Sequence, residues 1–125
     1  MLNPTVPAWF EIPVRDLQRA QQFYETILGV DLRRERMGAT DLAVFPYGGQ
    51  PAHVSGALLQ HPDCEPSVQG SIVYLSVSDL RPVLARAERE GGDTLVPCTA
   101  LPEGMGWFAQ FRDCEGNRVG LWSPA

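Results

Sequence analysis

A chain of 125 residues, 44% hydrophobic and 20% charged, has the size and balance of one folded domain with a real core. Its net charge of −5, with cations scattered apart from Arg33-Arg34-Glu35-Arg36, argues against a nucleic-acid surface, which needs clustered cations. No apolar stretch approaches membrane-spanning length and Met1-Leu2-Asn3-Pro4 lacks a signal core, so a cytoplasmic protein with free Cys64, Cys98 and Cys114 thiols is expected.

Residues 8–14 read as a strand, after which Asp16 can cap a helix with Leu17, Ala20, Phe23, Tyr24, Ile27 and Leu28 on one stripe. Gly29 stops that helix. Strands are expected near 31–37, 41–47 and 54–60, completing a β-α-β-β-β order. His61 to Ser67, with two prolines, is the junction. A strand at 70–77 then precedes a helix from Asp79, with Leu80, Val83, Leu84 and Ala87 inward and Gly91-Gly92 closing it. Pro82 is tolerated in its first turn, where the amide has no intrahelical partner. Strands near 94–98, 106–112 and 118–123 follow, with Asp113-Cys114-Glu115-Gly116-Asn117 as the last turn.

The chain also matches itself at an offset of 63 residues. Trp9 to Leu17 align with Ile72 to Leu80, and Gly29, Leu32, Phe45 and Leu58 fall on Gly92, Leu95, Phe108 and Leu121. The fold expected is α+β: one domain over 1–125, with module one over about 6–61 and module two over about 69–124, two curved mixed sheets sharing a cavity.

Phe10-Glu11-Ile12-Pro13-Val14 running into Asp16-Leu17 and Ala20-x-x-Phe23-Tyr24-x-x-x-Leu28-Gly29 resembles the vicinal oxygen chelate superfamily, the glyoxalase, bleomycin-resistance and dioxygenase group. Asp113-Cys114-Glu115-Gly116-Asn117-Arg118-Val119-Gly120-Leu121-Trp122 is similar to its closing motif, with Cys114 where Pro is more usual. The resemblance covers nearly the whole chain and implies a homodimer. It also implies metal ligands, mostly His and Glu, on the first and last strand of each module. Carried over, these positions hold Trp9, Ala57, Ile72 and Gly120, none with a metal-binding side chain. No metal and no cofactor are therefore expected.

Strand alternation places Glu11, Pro13, Ser55, Leu59, Tyr74, Ser76, Arg118 and Trp122 on the same face as those positions. The candidate ligand-binding residues are Trp9, Glu11, Tyr74, Ser76, Trp107, Arg118 and Trp122: aromatic walls with a few polar groups. Glu11 could be a general base, or could pair with Arg118 as a structural contact. Arg118 could hold an anionic substrate or bond loop carbonyls. A metal site from His53, His61 and Glu11 has no support in their spacing. The reading favoured is a metal-free small-molecule-binding protein for an aromatic or amphipathic ligand. The alternative is a glyoxalase-like lyase, isomerase or dioxygenase using Glu11 or a displaced metal site.

Overall fold

A computed structural model describes residues 1–3, 6–46 and 54–125. Module one contains β1 (Phe10–Pro13), α1 (Leu17–Leu28), β2 (Arg33–Met37), β3 (Thr40–Val44) and β4 (Gly56–Gln60). Module two contains β5 (Val73–Ser76), α2 (Leu80–Arg89), β6 (Asp93–Ala100), a single 3₁₀ turn (Pro102–Gly104), β7 (Trp107–Arg112) and β8 (Arg118–Ser123). The expected β-α-β-β-β order therefore occurs twice. Tyr47 and His53 lie outside the described residues.

Each module builds one four-stranded mixed sheet, ordered β1-β4-β3-β2 and β5-β8-β7-β6. The β1–β4 and β5–β8 pairs are parallel and the others antiparallel. Among the described residues no ladder joins the two sheets, and they do not close into one barrel. Both helices lie on one side, where α1 packs on β3 and β4, α2 packs on β6, β7 and β8, and the helices touch each other. One apolar core fills that side across both modules, including Ile12, Phe23, Tyr24 and Leu58 of the first and Leu80, Leu84, Phe111 and Leu121 of the second.

The helix starts follow from local chemistry. The Asp16 side chain accepts the Arg19 amide at 3.1 Å, and the Asp79 side chain accepts the Arg81 amide at 3.1 Å. Each first helical amide is taken by the last strand of its own module: Leu17 N–H donates to Gln60 Oε1, and Leu80 N–H to Ser123 Oγ. Gly29 ends α1 in the left-handed region at φ 67°, a conformation that costs a side-chain-bearing residue more.

Corresponding pairs in β1–β4 and β5–β8 lie 63 positions apart: Phe10 with Gly56 and Val73 with Val119, Glu11 with Ala57 and Tyr74 with Gly120. The third strands depart from that offset. Val44 pairs with Ala57 whereas Gln110 pairs with Gly120, so the counterpart of Phe45 is Phe111, not Phe108 as the sequence alignment has it. The three extra residues are absorbed by an eight-residue β6 with two register shifts and by the 3₁₀ turn. Phe45 and Phe111 both pack on Tyr24, at centroid distances of 5.7 and 6.5 Å.

Candidate functional site

The turn Asp113–Asn117 fastens one module to the other. The Glu115 side chain is fully buried at the N-terminus of α1. It accepts the Arg15 amide and, at 3.4 Å, the Asp16 amide, and its other oxygen takes the Arg19 guanidinium. A carboxylate is favoured there because the free amides and helix dipole present positive charge. Asn117 Nδ2 donates to the Pro13 carbonyl at 2.7 Å, and Tyr24 Oη donates to Asp113 Oδ2 at 2.6 Å. Asp113 also receives the Glu115 and Asn117 amides, which shapes the turn. In the opposite direction, Arg86 of α2 donates through two nitrogens to the Ile27 carbonyl near the end of α1.

This environment moves three titrations. Glu115 holds the Arg19 guanidinium above its ordinary value. Burial, reinforced by Asp113, holds the Tyr24 hydroxyl well above the usual phenol range. Burial, then the Asp113 and Glu115 carboxylates, pushes the Cys114 thiol up to about 12. These groups are structural, and sequence analysis identified none of Tyr24, Asp113, Glu115 or Asn117 as a cross-module contact. The partners lie about a hundred residues apart, and no local periodicity reports such pairings.

The face turned away from the helices carries the candidate ligand site. Exposure alternates along β5, with Tyr74 and Ser76 exposed, Val73 and Leu75 half-buried, and Leu75 packed against the core. The Tyr74 ring lies flat across Gly120: a methyl on Gly120 would meet Tyr74 Cδ1 at 2.3 Å. Glycine is required for that close approach. Tyr74 Oη reaches Gln110, whose Nε2 is 2.6 Å away, and Gln110 Oε1 takes Arg118 Nη1 at 2.8 Å. Arg118 Nε donates to the Val68 carbonyl.

One register step along, Trp122 pairs with Phe108. The Trp122 indole N–H donates to the Met105 carbonyl at 2.9 Å, fixing its ring against the β6–β7 connection. Tyr74, Leu101, Phe108 and Trp122 line an open apolar pocket of about 340 Å³. Trp107 does not join them. It is paired with Ser123 on the helix side, packs against the core, and carries the Arg81 guanidinium 4.9 Å from its ring centroid. Phe108, one residue on, takes the inner-face position, as alternation demands once the strand register is known.

The remaining candidates are dispersed. Trp9 and Ile72 each stand one residue ahead of their strands, 42% and 38% exposed. Glu11 is exposed rather than enclosed by rings, and makes no hydrogen bond or ion pair among the described residues. It lines a cleft of about 110 Å³ with Arg118, Glu65, Ser67 and Gln69. The Glu11–Arg118 pair considered in sequence analysis does not form; the guanidinium donates instead to the Val68 carbonyl and to Gln110 Oε1. A wider cleft of about 580 Å³ runs between the modules, lined by Phe10, Phe45, the outer edge of β5 and the Val77-Ser78 segment that follows it.

The family-implied metal does not fit these residues. Ala57 is fully buried, the space a Gly120 side chain would need is filled by Tyr74, and Trp9 and Ile72 offer no donor. Among the described residues no group of three His, Cys, Asp or Glu side chains could hold an ion. His61 is engaged locally, its Nδ1 accepting the Asp63 amide, and His53 lies outside the described residues. Among the described residues no helix is long and apolar enough to cross a membrane.

A "Glyoxylase-like domain-containing protein" of Didymella fabae is 27% identical over 110 residues, covering 86% of this chain and 84% of that protein. Among solved structures, a glyoxalase/bleomycin resistance protein from Albidiferax ferrireducens T118 superposes with a TM-score of 0.71 at 16% identity, covering 95% of this chain and 98% of the other. A glyoxylase/bleomycin resistance protein/dioxygenase domain from Frankia sp. EAN1pec gives 0.69 at 24% identity, covering 97% and 98%. The profile of the Glyoxalase/Bleomycin resistance protein/Dioxygenase superfamily matches residues 6–121, and the chain belongs to that superfamily.

Proposed function

We propose that this protein binds a flat, largely apolar small molecule on the open face of its second sheet, at a place built without metal ligands. The observation that carries the reading is the pocket of about 340 Å³ walled by Tyr74, Leu101, Phe108 and Trp122, beside a glycine where relatives are expected to place a ligand. Such walls release water from apolar surface on binding and offer ring faces for stacking. Ser76 and Arg118 flank this region, while Trp9, the counterpart of Ile72, is exposed just ahead of β1. A second copy would cover the exposed Tyr74 and Met105 and complete the trough, so the working form is a homodimer in the cytoplasm.

Titration of tryptophan fluorescence with 2-ethylnaphthalene tests the reading. Saturable binding that Trp122→Ala weakens about tenfold supports it, and no saturable binding overturns it. Light scattering should report a mass above the 13.8 kDa of one chain. A second reading keeps Glu11 as a general base, favoured by its exposed carboxylate without a partner in the cleft beside Arg118. Turnover that survives exhaustive chelation and disappears in Glu11→Gln would select it.

A further inference from the structure

We infer that the pocket selects ligands carrying a carbonyl or carboxylate oxygen at their edge, and that the Tyr74 hydroxyl donates the hydrogen bond that reads it. This rests on the pocket proposed above and adds the polar half of its recognition.

The direction of the hydrogen-bond chain carries the inference. Arg118 has donors only, so the Gln110 atom 2.8 Å from its Nη1 must be the amide oxygen. That fixes the orientation of the Gln110 side chain, which is buried, and turns its NH₂ toward Tyr74 Oη at 2.6 Å. Tyr74 Oη therefore accepts from Gln110, and its own proton has no acceptor among the described residues. Arg118 is in turn held by the Val68 carbonyl. A cation at the head of a donor–acceptor chain polarises each bond after it, which makes the Tyr74 hydroxyl a better donor than a free phenol.

Position supports the same conclusion. The Tyr74 ring lies against Gly120 and makes an edge contact with Phe108 at 6.4 Å, so the phenol is not free to swing without losing both. Tyr74 is nonetheless 45% exposed and forms part of the apolar wall. The result is an apolar slot with one oriented donor. A flat aromatic or conjugated ring would lie along Phe108 and Trp122, and its edge oxygen would take the unused proton. A pure hydrocarbon would gain nothing from it.

Dissociation constants for three probes separate the possibilities: 2-ethylnaphthalene, 2-acetylnaphthalene and 2-naphthoate, each measured with wild type, Tyr74→Phe and Gln110→Glu. Tyr74→Phe should weaken the ketone, the carboxylate or both about tenfold while leaving the hydrocarbon within about twofold. The probe affected tells carbonyl from carboxylate. Gln110→Glu replaces the amide donor with an acceptor-only carboxylate, which draws the Tyr74 proton to itself. It should therefore weaken the ketone as Tyr74→Phe does, with the tyrosine still present. If the three probes respond equally to Tyr74→Phe, or if Gln110→Glu leaves ketone and naphthoate affinity unchanged, the assignment is overturned while the pocket stands. If none of the three binds wild type, the pocket itself is overturned and this inference with it.

Discussion

Replacing Glu115 tests whether the last turn locks the two modules together. Its carboxylate is fully buried and serves the Arg15 and Asp16 amides and the Arg19 guanidinium at once. Removing a charged acceptor from two helix-terminal amides costs about 1–1.5 kcal/mol for each bond. The Arg19 side chain is 56% exposed, so the ion pair adds less than about 1 kcal/mol. Glu115→Ala should thus cost about 3 kcal/mol, and for a domain of this size the melting temperature should fall by about 10–15 °C. Arg19→Met is the control. It removes the exposed partner but leaves the carboxylate on its amides, so the loss should stay below about 1 kcal/mol, a few degrees. Differential scanning calorimetry of both variants, with urea titrations for the free energies, decides the matter. A Glu115→Ala loss below about 1 kcal/mol, or an Arg19→Met loss as large as that of Glu115→Ala, would refute the capping argument.

Other expectations follow from the same geometry. Tyr24 and Cys114 hold their protons more tightly folded than unfolded, so their contribution is complete below their ordinary values of 10.0 and 9.0 and is lost as pH rises through the folded values, about 12 for Cys114. Thermal melts should show stability falling above those ordinary values, with a shallower fall in Tyr24→Phe; an unchanged slope in that variant would contradict the assignment. At neutral pH, Tyr24→Phe should cost about 1–2 kcal/mol by losing its bond to Asp113, measured by urea titration. Gly120→Ala should displace the Tyr74 ring and cost about 1–3 kcal/mol, with pocket affinity reduced in the fluorescence titration. Trp107→Ala and Trp122→Ala should behave oppositely. Trp107→Ala should lower stability by about 2 kcal/mol without altering probe binding, because that ring packs on the helix side under Arg81. Trp122→Ala should chiefly weaken binding.

The amino-acid sequence by itself determined the order of elements, because helices and strands announce themselves over a few residues. Asp16 and Asp79 cap both helices as their position ahead of an apolar stripe requires, and Gly29 ends the first in the left-handed region. Alternation in β1, β5 and β8 likewise put Glu11, Tyr74, Ser76 and Trp122 on the open face. Tertiary structure decided which strand residues stand opposite one another. Three residues taken up in β6 and its 3₁₀ turn moved Phe111 to the place of Phe45, and strand register turned Trp107 inward and Phe108 outward. A shift of one residue reverses a side chain's face, so no reading of composition could choose between those neighbours. Burial of Glu115 against α1, and of Gln110 beneath Tyr74, depends on contacts between segments far apart in the chain. Only packing brings such groups together, and it decides whether a carboxylate or an amide becomes a clamp, a ligand contact or a solvated surface group.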